Sequence, residues 1–183
     1  MKLKNTAALA LSAVLALGLT ACGSAASPAV DPSVPDGDGD PTTLTVAMEC
    51  AYAPYNWTQS DDANGAVQIR DSGDYAYGYD VIMAKKIGEA LGQNVQIVKL
   101  DWDSLIPAVT SGDVDCVIAG QSITAERAAQ VDFSDPYYYA SIVTLVKKDS
   151  KYADAKSVAD LDGATATSQL GTIWYDNCLP QIP

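Results

Sequence analysis

The chain has 183 residues, a formal net charge of −12 and 48% hydrophobic residues, enough for one domain or two small lobes with a packed core. It contains no histidine, which excludes a Ser-His-Asp triad, a histidine general base and His-ligated metal sites. With 23 acidic against 11 basic residues it lacks the basic patch that nucleic-acid phosphates require.

The first element is a targeting segment rather than part of the fold. Lys2 and Lys4 supply positive charge, and residues 6–19 form an uncharged, almost wholly apolar run. That run is shorter than the ~20 residues of a membrane-spanning helix. It ends in Leu19-Thr20-Ala21-Cys22, which resembles the lipobox of bacterial lipoproteins. The resemblance implies a lipoprotein signal peptide over 1–21, cleavage before Cys22, and acyl chains on Cys22 that anchor the protein to the membrane. Of the four cysteines, Cys50, Cys116 and Cys178 then remain, an odd number that leaves at least one unpaired. Cys50 ends one apolar run and Cys116 lies inside another, so both read as small core residues. No CxxC spacing suggests a metal site.

Residues 22–41 are rich in Ser, Ala, Pro, Gly and Asp, too poor in large apolar groups to offset their ordering entropy, and are expected to be a flexible tether. From there strand and helix patterns alternate. Leu44 to Met48 reads as a strand, and Gly65 to Gly78 as a loop or hairpin. Asp80 falls at the start of a helix on which Ile82, Met83, Ile87, Ala90 and Leu91 recur near helical spacing, with Gly92 as its stop. Val95 to Val98 is a second strand. Asp103 is placed to cap a second helix with Pro107 in its first turn and Leu105, Ile106 and Val109 inward. Ser111-Gly112-Asp113 is a turn, and Val114 to Ala119 a strand buried on both faces. This order predicts a parallel sheet flanked by helices, with any ligand beyond the carboxyl ends of its strands. Further strands are expected at Ile142 to Val146 and Ala164 to Thr167, a short helix at Ser157 to Leu161, and a strand-to-helix turn at Gln169 to Thr172.

The informative chemistry lies in Gly120-Gln121-Ser122-Ile123-Thr124-Ala125-Glu126-Arg127. The run leaves a buried strand and opens a helix, whose free N–H groups suit a carboxylate. Ser122 and Thr124 add hydroxyls, and Arg127 a planar fork of donors. Spacing alone fits this anion clamp and, equally, a plain Thr124 cap with Arg127 on a solvated face.

The segments Trp102 to Val109, Ser111 to Asp113, Gly120 to Arg127 and Val131 to Tyr137, with Tyr52-Ala53-Pro54-Tyr55 and Gly78-Tyr79-Asp80-Val81, together resemble the polar amino-acid-binding family of periplasmic binding proteins. The resemblance runs from about Leu44 to about Ile173. It implies a periplasmic-binding-protein-like type II α/β fold: two lobes of parallel-rich sheet flanked by helices, the first over 42–139 and an incomplete second over 140–183. It also implies an extracytoplasmic lipoprotein that captures a free amino acid, works as a monomer without a cofactor, and delivers its ligand to an ABC permease and ATPase complex. A sensory lipoprotein, or a dehydratase-type enzyme with Glu49 as acid or base, are the alternatives.

Carried over by position, Arg127 pairs with the ligand α-carboxylate, helped by the N–H and hydroxyl of Ser122. Gly120 offers its carbonyl to the α-ammonium. Tyr52 and Trp102 wall the side chain, and Gly171, Thr172 and Ile173 form the second lobe's anion contact. Glu49 stands where the family commonly has Asp, reading either as a longer acid reaching into the site or as a solvated rim charge. Tyr137 to Tyr139 fall near the family's interlobe crossing, as β-favouring packing or as ligand contacts. The acid that grips the α-ammonium from the family's second lobe has no counterpart here, so the chain is expected to be a fragment or a natural truncation.

Overall fold

The computed structural model describes residues 40–183. The leader over 1–21, Cys22 and most of the tether lie outside the described residues. The fold is α/β, built on a three-stranded parallel sheet. Its central strand, β1 (Thr43–Met48), is buried from its second residue onward, which suits a strand covered on both faces. The edge strand β6 (Asn94–Lys99) pairs with it along its whole length, from Thr43 opposite Asn94 to Met48 opposite Lys99. The other edge, β7 (Cys116–Val117), pairs only through Val46 and Ala47. The run expected at Val114 to Ala119 is thus a strand only at its centre. Its flanks stay tied to β1, because Asp115 N–H donates to the Thr45 carbonyl and Ile118 N–H to that of Ala47. The Asp115 carboxylate also accepts from the N–H and hydroxyl of Thr45, at 2.7 and 2.6 Å.

The segment between β1 and the first helix forms a small antiparallel sheet, where only a loop or hairpin was expected over 65–78. Strands β2 (Ala51–Tyr52), β3 (Asn56–Gln59), β4 (Val67–Gln68) and β5 (Tyr75–Tyr77) lie in the order β2-β3-β5-β4. With two to four residues each, they are too short to show a period of two.

Helix α1 (Tyr79–Leu91) ends at Gly92 with φ 72°, as the sequence indicates. Its packed face is not the expected one. Val81, Ala84 and Gly88 are buried, whereas Ile82, Ile87 and Leu91 are exposed. The cause is close approach: a Cβ on Gly88 would stand 2.6 Å from Val95 Cγ2, so only small side chains fit between helix and sheet. At its other end the helix docks on the turn before β3. Tyr79 and Asp80 N–H groups donate to the Pro54 and Tyr55 carbonyls, and a Cβ on Gly78, at φ 130°, would lie 2.3 Å from the Tyr55 oxygen. Helix α2 (Leu105–Ser111) buries Leu105 and Ala108, with Ile106 and Val109 half-buried. Asp103 does not cap it: Trp102–Ser104 form a 3-10 turn that runs straight into α2, with no side-chain cap bond. Gly112, at φ 78°, makes the expected turn.

Beyond β7 the strands expected at Ile142 to Val146 and Ala164 to Thr167 do not form. Among the described residues no strand follows β7. Ile142 to Val146 is irregular and unpaired, with Val143 82% and Leu145 97% exposed, and Ala164 to Thr167 is likewise irregular. Both stretches border a wide apolar groove with Tyr138, Leu161, Leu179 and Ile182. A strand needs a partner for its ladder, and none of the described segments supplies one here. The short helix is present as a 3-10 turn, Val158–Leu161, with Ser157 and Asp160 in a capping box. Among the described residues no helix is long and apolar enough to cross a membrane.

Cys50, Cys116 and Cys178 are free thiols. Cys50 is buried and Cys116, against expectation, only half-buried. Burial pushes the Cys50 thiol up to about 11, with Lys99 opposing, and Cys116 up to about 12, with Asp115 adding to the rise. At pH 8 their thiolate fractions are therefore on the order of 10⁻³ and 10⁻⁴. Iodoacetamide should leave both unmodified in the native protein and alkylate both after unfolding, as read by peptide mass spectrometry. Gly78→Ala should lower unfolding free energy by about 2–4 kcal/mol in a urea titration, because both the left-handed φ and the Tyr55 carbonyl oppose a Cβ.

Candidate ligand-binding site

The parallel sheet sets the site. Glu49 follows β1, Trp102 follows β6, and Gly120 to Ser122 follow β7, so three loops leave the same sheet end side by side. They border a narrow cleft lined by Glu49, Tyr52, Trp102, Gly120, Ser122 and Arg127 on this side, and by Thr172 and Ile173 opposite. Eight of the nine expected residues thus meet in one cleft. The ninth, Gly171, reaches it through its carbonyl.

Arg127 lies on a single helical turn, α3 (Ala125–Ala128). Thr124 caps that turn, its hydroxyl accepting from Arg127 N–H at 3.2 Å. The cap and the clamp readings of this run are therefore not alternatives, since the cap orients the residue that carries the charge. One turn has little macrodipole, so the positive potential belongs to Arg127 rather than to the helix N-terminus expected there. The side chain is turned inward, and Arg127 as a whole residue is 9% exposed. Nη1 donates to the Ser122 carbonyl at 2.9 Å and Nη2 to the Gly171 carbonyl at 3.1 Å. The guanidinium carbon lies 5.4 Å from the centre of the Trp102 ring. Burial lowers its pKa, opposed by Glu126 and then Asp176, and it remains a cation at neutral pH. A buried cation whose hydrogen-bond acceptors are both neutral carbonyls is poised for an anion.

Trp102 is fixed by its indole N–H, which donates to the same Gly171 carbonyl at 2.9 Å. One face of the indole carries the Arg127 guanidinium, and the residue also borders the cleft. Gly171, at φ 68°, would be strained by a side chain, and a Cβ would stand 2.5 Å from Asp103 Oδ1, so that carboxylate would have to move. Thr172 is buried, its hydroxyl donating to the Gln169 carbonyl and accepting from Tyr175 N–H. Tyr52 packs on Tyr55 with ring centroids 4.8 Å apart and meets Trp174 edge-on at 5.9 Å.

Two lining residues were missed by sequence reasoning, Gln169 and Trp174. Gln169 Nε2 donates to Glu49 Oε1 at 2.8 Å, so Glu49 points across the cleft instead of sitting on the rim as a solvated charge. The available signal was their position flanking Gly171-Thr172-Ile173. Tyr137 stands apart from this cleft, with its hydroxyl on Asp80.

Residues 44–168 match the profile of the bacterial extracellular solute-binding proteins, family 3. The chain belongs to this family. Its relatives include the arginine-binding extracellular protein ArtP of Bacillus subtilis (strain 168), 33% identical over 93% of this chain and 58% of ArtP. A probable histidine-binding protein of Neisseria gonorrhoeae is 32% identical over 88% of this chain and 54% of its own length. Among solved structures, the ancestral amino acid-binding protein AncCDT-1, described as a precursor of cyclohexadienyl dehydratase, superposes with TM-score 0.63 at 36% identity, covering 78% of this chain and 58% of that one. The arginine-bound form of truncated ArgBP from T. maritima gives 0.58 at 36% identity, over 72% and 56%. The chain therefore spans a little over half the length of these relatives. Family-3 proteins are extracellular solute-binding proteins, and the relatives named here bind amino acids.

Thr124→Ala should cost about 1 kcal/mol of stability in a urea titration, with Thr124→Ser retaining most of it, because the serine hydroxyl can still cap Arg127 N–H.

Proposed function

We propose that this chain captures a free amino acid outside the cytoplasm for an ABC importer, anchored to the membrane by acyl chains on Cys22. The observation that carries this reading is Arg127: a cation 9% exposed, at the wall of a cleft, held by two neutral carbonyls. A guanidinium has five N–H donors, and a carboxylate matches its fork in two bonds. The α-carboxylate of the ligand binds Arg127 with the Ser122 N–H and hydroxyl. The Gly120 carbonyl takes the α-ammonium. Tyr52 and Trp102 enclose the side chain, and Gly171 to Ile173 close over it from the other side. Glu49, the one carboxylate in the cleft lining, receives a cationic or strongly polar side-chain terminus. The arginine-binding relatives support that choice.

Ligand drives closure only by binding the closed form better, and contacts from both sides of the cleft meet that condition. The closed form then docks on a permease driven by an ATPase. Dehydratase chemistry, raised by the likeness to AncCDT-1, has weaker support. Glu49 stands without a second carboxylate among the lining residues, and the chain has no histidine.

A thermal-shift screen of the twenty amino acids should raise the melting temperature with one or a few of them, L-arginine included. In calorimetry, Arg127→Ala should weaken the best ligand by about 2–5 kcal/mol, the loss expected for a buried charge partner. No shift with any amino acid, or unchanged affinity in Arg127→Ala, would overturn the assignment.

A further inference from the structure

Asp80 lies beneath the cleft without lining it. It is 0% exposed, and both carboxylate oxygens are engaged: Oδ2 accepts from Asn56 Nδ2 at 2.7 Å and Oδ1 from the Tyr137 hydroxyl at 2.8 Å. Each partner passes one further bond to a cleft loop. Asn56 Oδ1 accepts from Cys50 N–H at 2.8 Å, and the Tyr137 oxygen accepts from Gly120 N–H at 3.1 Å. Cys50 directly follows Glu49, and Gly120 is itself in the lining. Both amides belong to residues in the left-handed region, Cys50 at φ 55° and Gly120 at φ 60°. For a non-glycine residue such as Cys50 that conformation costs roughly 1–2 kcal/mol and persists only where its surroundings enforce it.

The direction of these bonds is set at Asp80. An ionised carboxylate only accepts. Asn56 must therefore turn its NH₂ toward Asp80, which leaves its carbonyl oxygen for Cys50 N–H. Tyr137 has one hydroxyl proton, and giving it to Asp80 leaves only lone pairs for Gly120 N–H. Space reinforces the outcome at Gly120, where a Cβ would stand 3.3 Å from Tyr52 Cε1.

We propose that Asp80 is a positioning residue for the cleft, fixing the Glu49–Cys50 turn through Asn56 and the Gly120 loop through Tyr137. Its bearing on affinity rests on the function proposed above; its control of the two loops does not. A neutral amide at position 80 ends the enforced direction, because it can present a donor to Asn56 or to Tyr137.

The test uses the full chain, with ¹H–¹⁵N spectra recorded without ligand and calorimetry with L-arginine as probe. Tyr137→Phe should shift the Gly120 amide resonance and leave that of Cys50 in place. Asp80→Asn should shift both. In the double variant the Gly120 amide should match that of Tyr137→Phe alone, as expected when one residue acts through the other. Affinity for L-arginine should fall about five- to tenfold in each single variant. Additive Gly120 shifts in the double variant, a Gly120 amide unmoved by Tyr137→Phe, or shifts with no change in affinity would overturn the proposal. If Asp80→Asn fails to fold, Tyr137→Phe decides it by the Gly120 amide and the affinity together. A wild-type protein that binds no amino acid overturns the proposed function, and the ligand-free amide shifts still decide whether Asp80 sets the loops.

Discussion

The constraint on which the rest depends is the full-length parallel pairing of β1 with β6, with β7 on the other side. It brings three loops, distant in sequence, to one edge of the sheet. A shift of register by one residue would exchange the faces of β1 and carry Glu49 and Trp102 out of alignment. The buried face of α1 serves the same end: Val81, Ala84 and Gly88 let the helix lie close enough for its first turn to rest on the Pro54 and Tyr55 carbonyls. That places Asp80 under the loops rather than in solvent.

Charge is arranged by the same economy of space. The buried cation and the buried anion of the site region, Arg127 and Asp80, are not paired with each other. Arg127 rests on carbonyl oxygens and an indole face, whereas Asp80 rests on an amide and a phenol. Burial moves both away from their ordinary pKa values, Arg127 downward and Asp80 upward. Keeping them apart leaves the cation directed at the cleft and lets the anion act on backbone geometry.

Local signals were legible in the sequence. The Gly92 and Gly112 stops, the Thr124 cap and the β1 and β6 strands each depend on residues within a few positions. Most of the cleft lining was legible too, through the family resemblance, because its residues sit in short runs at strand ends. Four features were not. The β2-β3-β5-β4 sheet has strands too short to carry a period. The packed face of α1 is decided by room against Val95, so the larger apolar residues lose to the smaller. Ile142 to Val146 has strong β-propensity, yet propensity without a partner strand makes no ladder. The Asp80 contacts join residues 24 and 57 positions apart, beyond the reach of any local pattern.

The Gly171 carbonyl has a consequence of its own. It serves Arg127 and Trp102 together, so one oxygen holds both the guanidinium and the indole in place. These two bonds use two of the five guanidinium N–H groups, and the other three favour an ionised carboxylate over the weaker carbonyl of an amide or an ester. Any displacement of residue 171 would therefore loosen the charge and the ring at the same moment, so this backbone oxygen ties the two walls of the cleft into one mechanical unit.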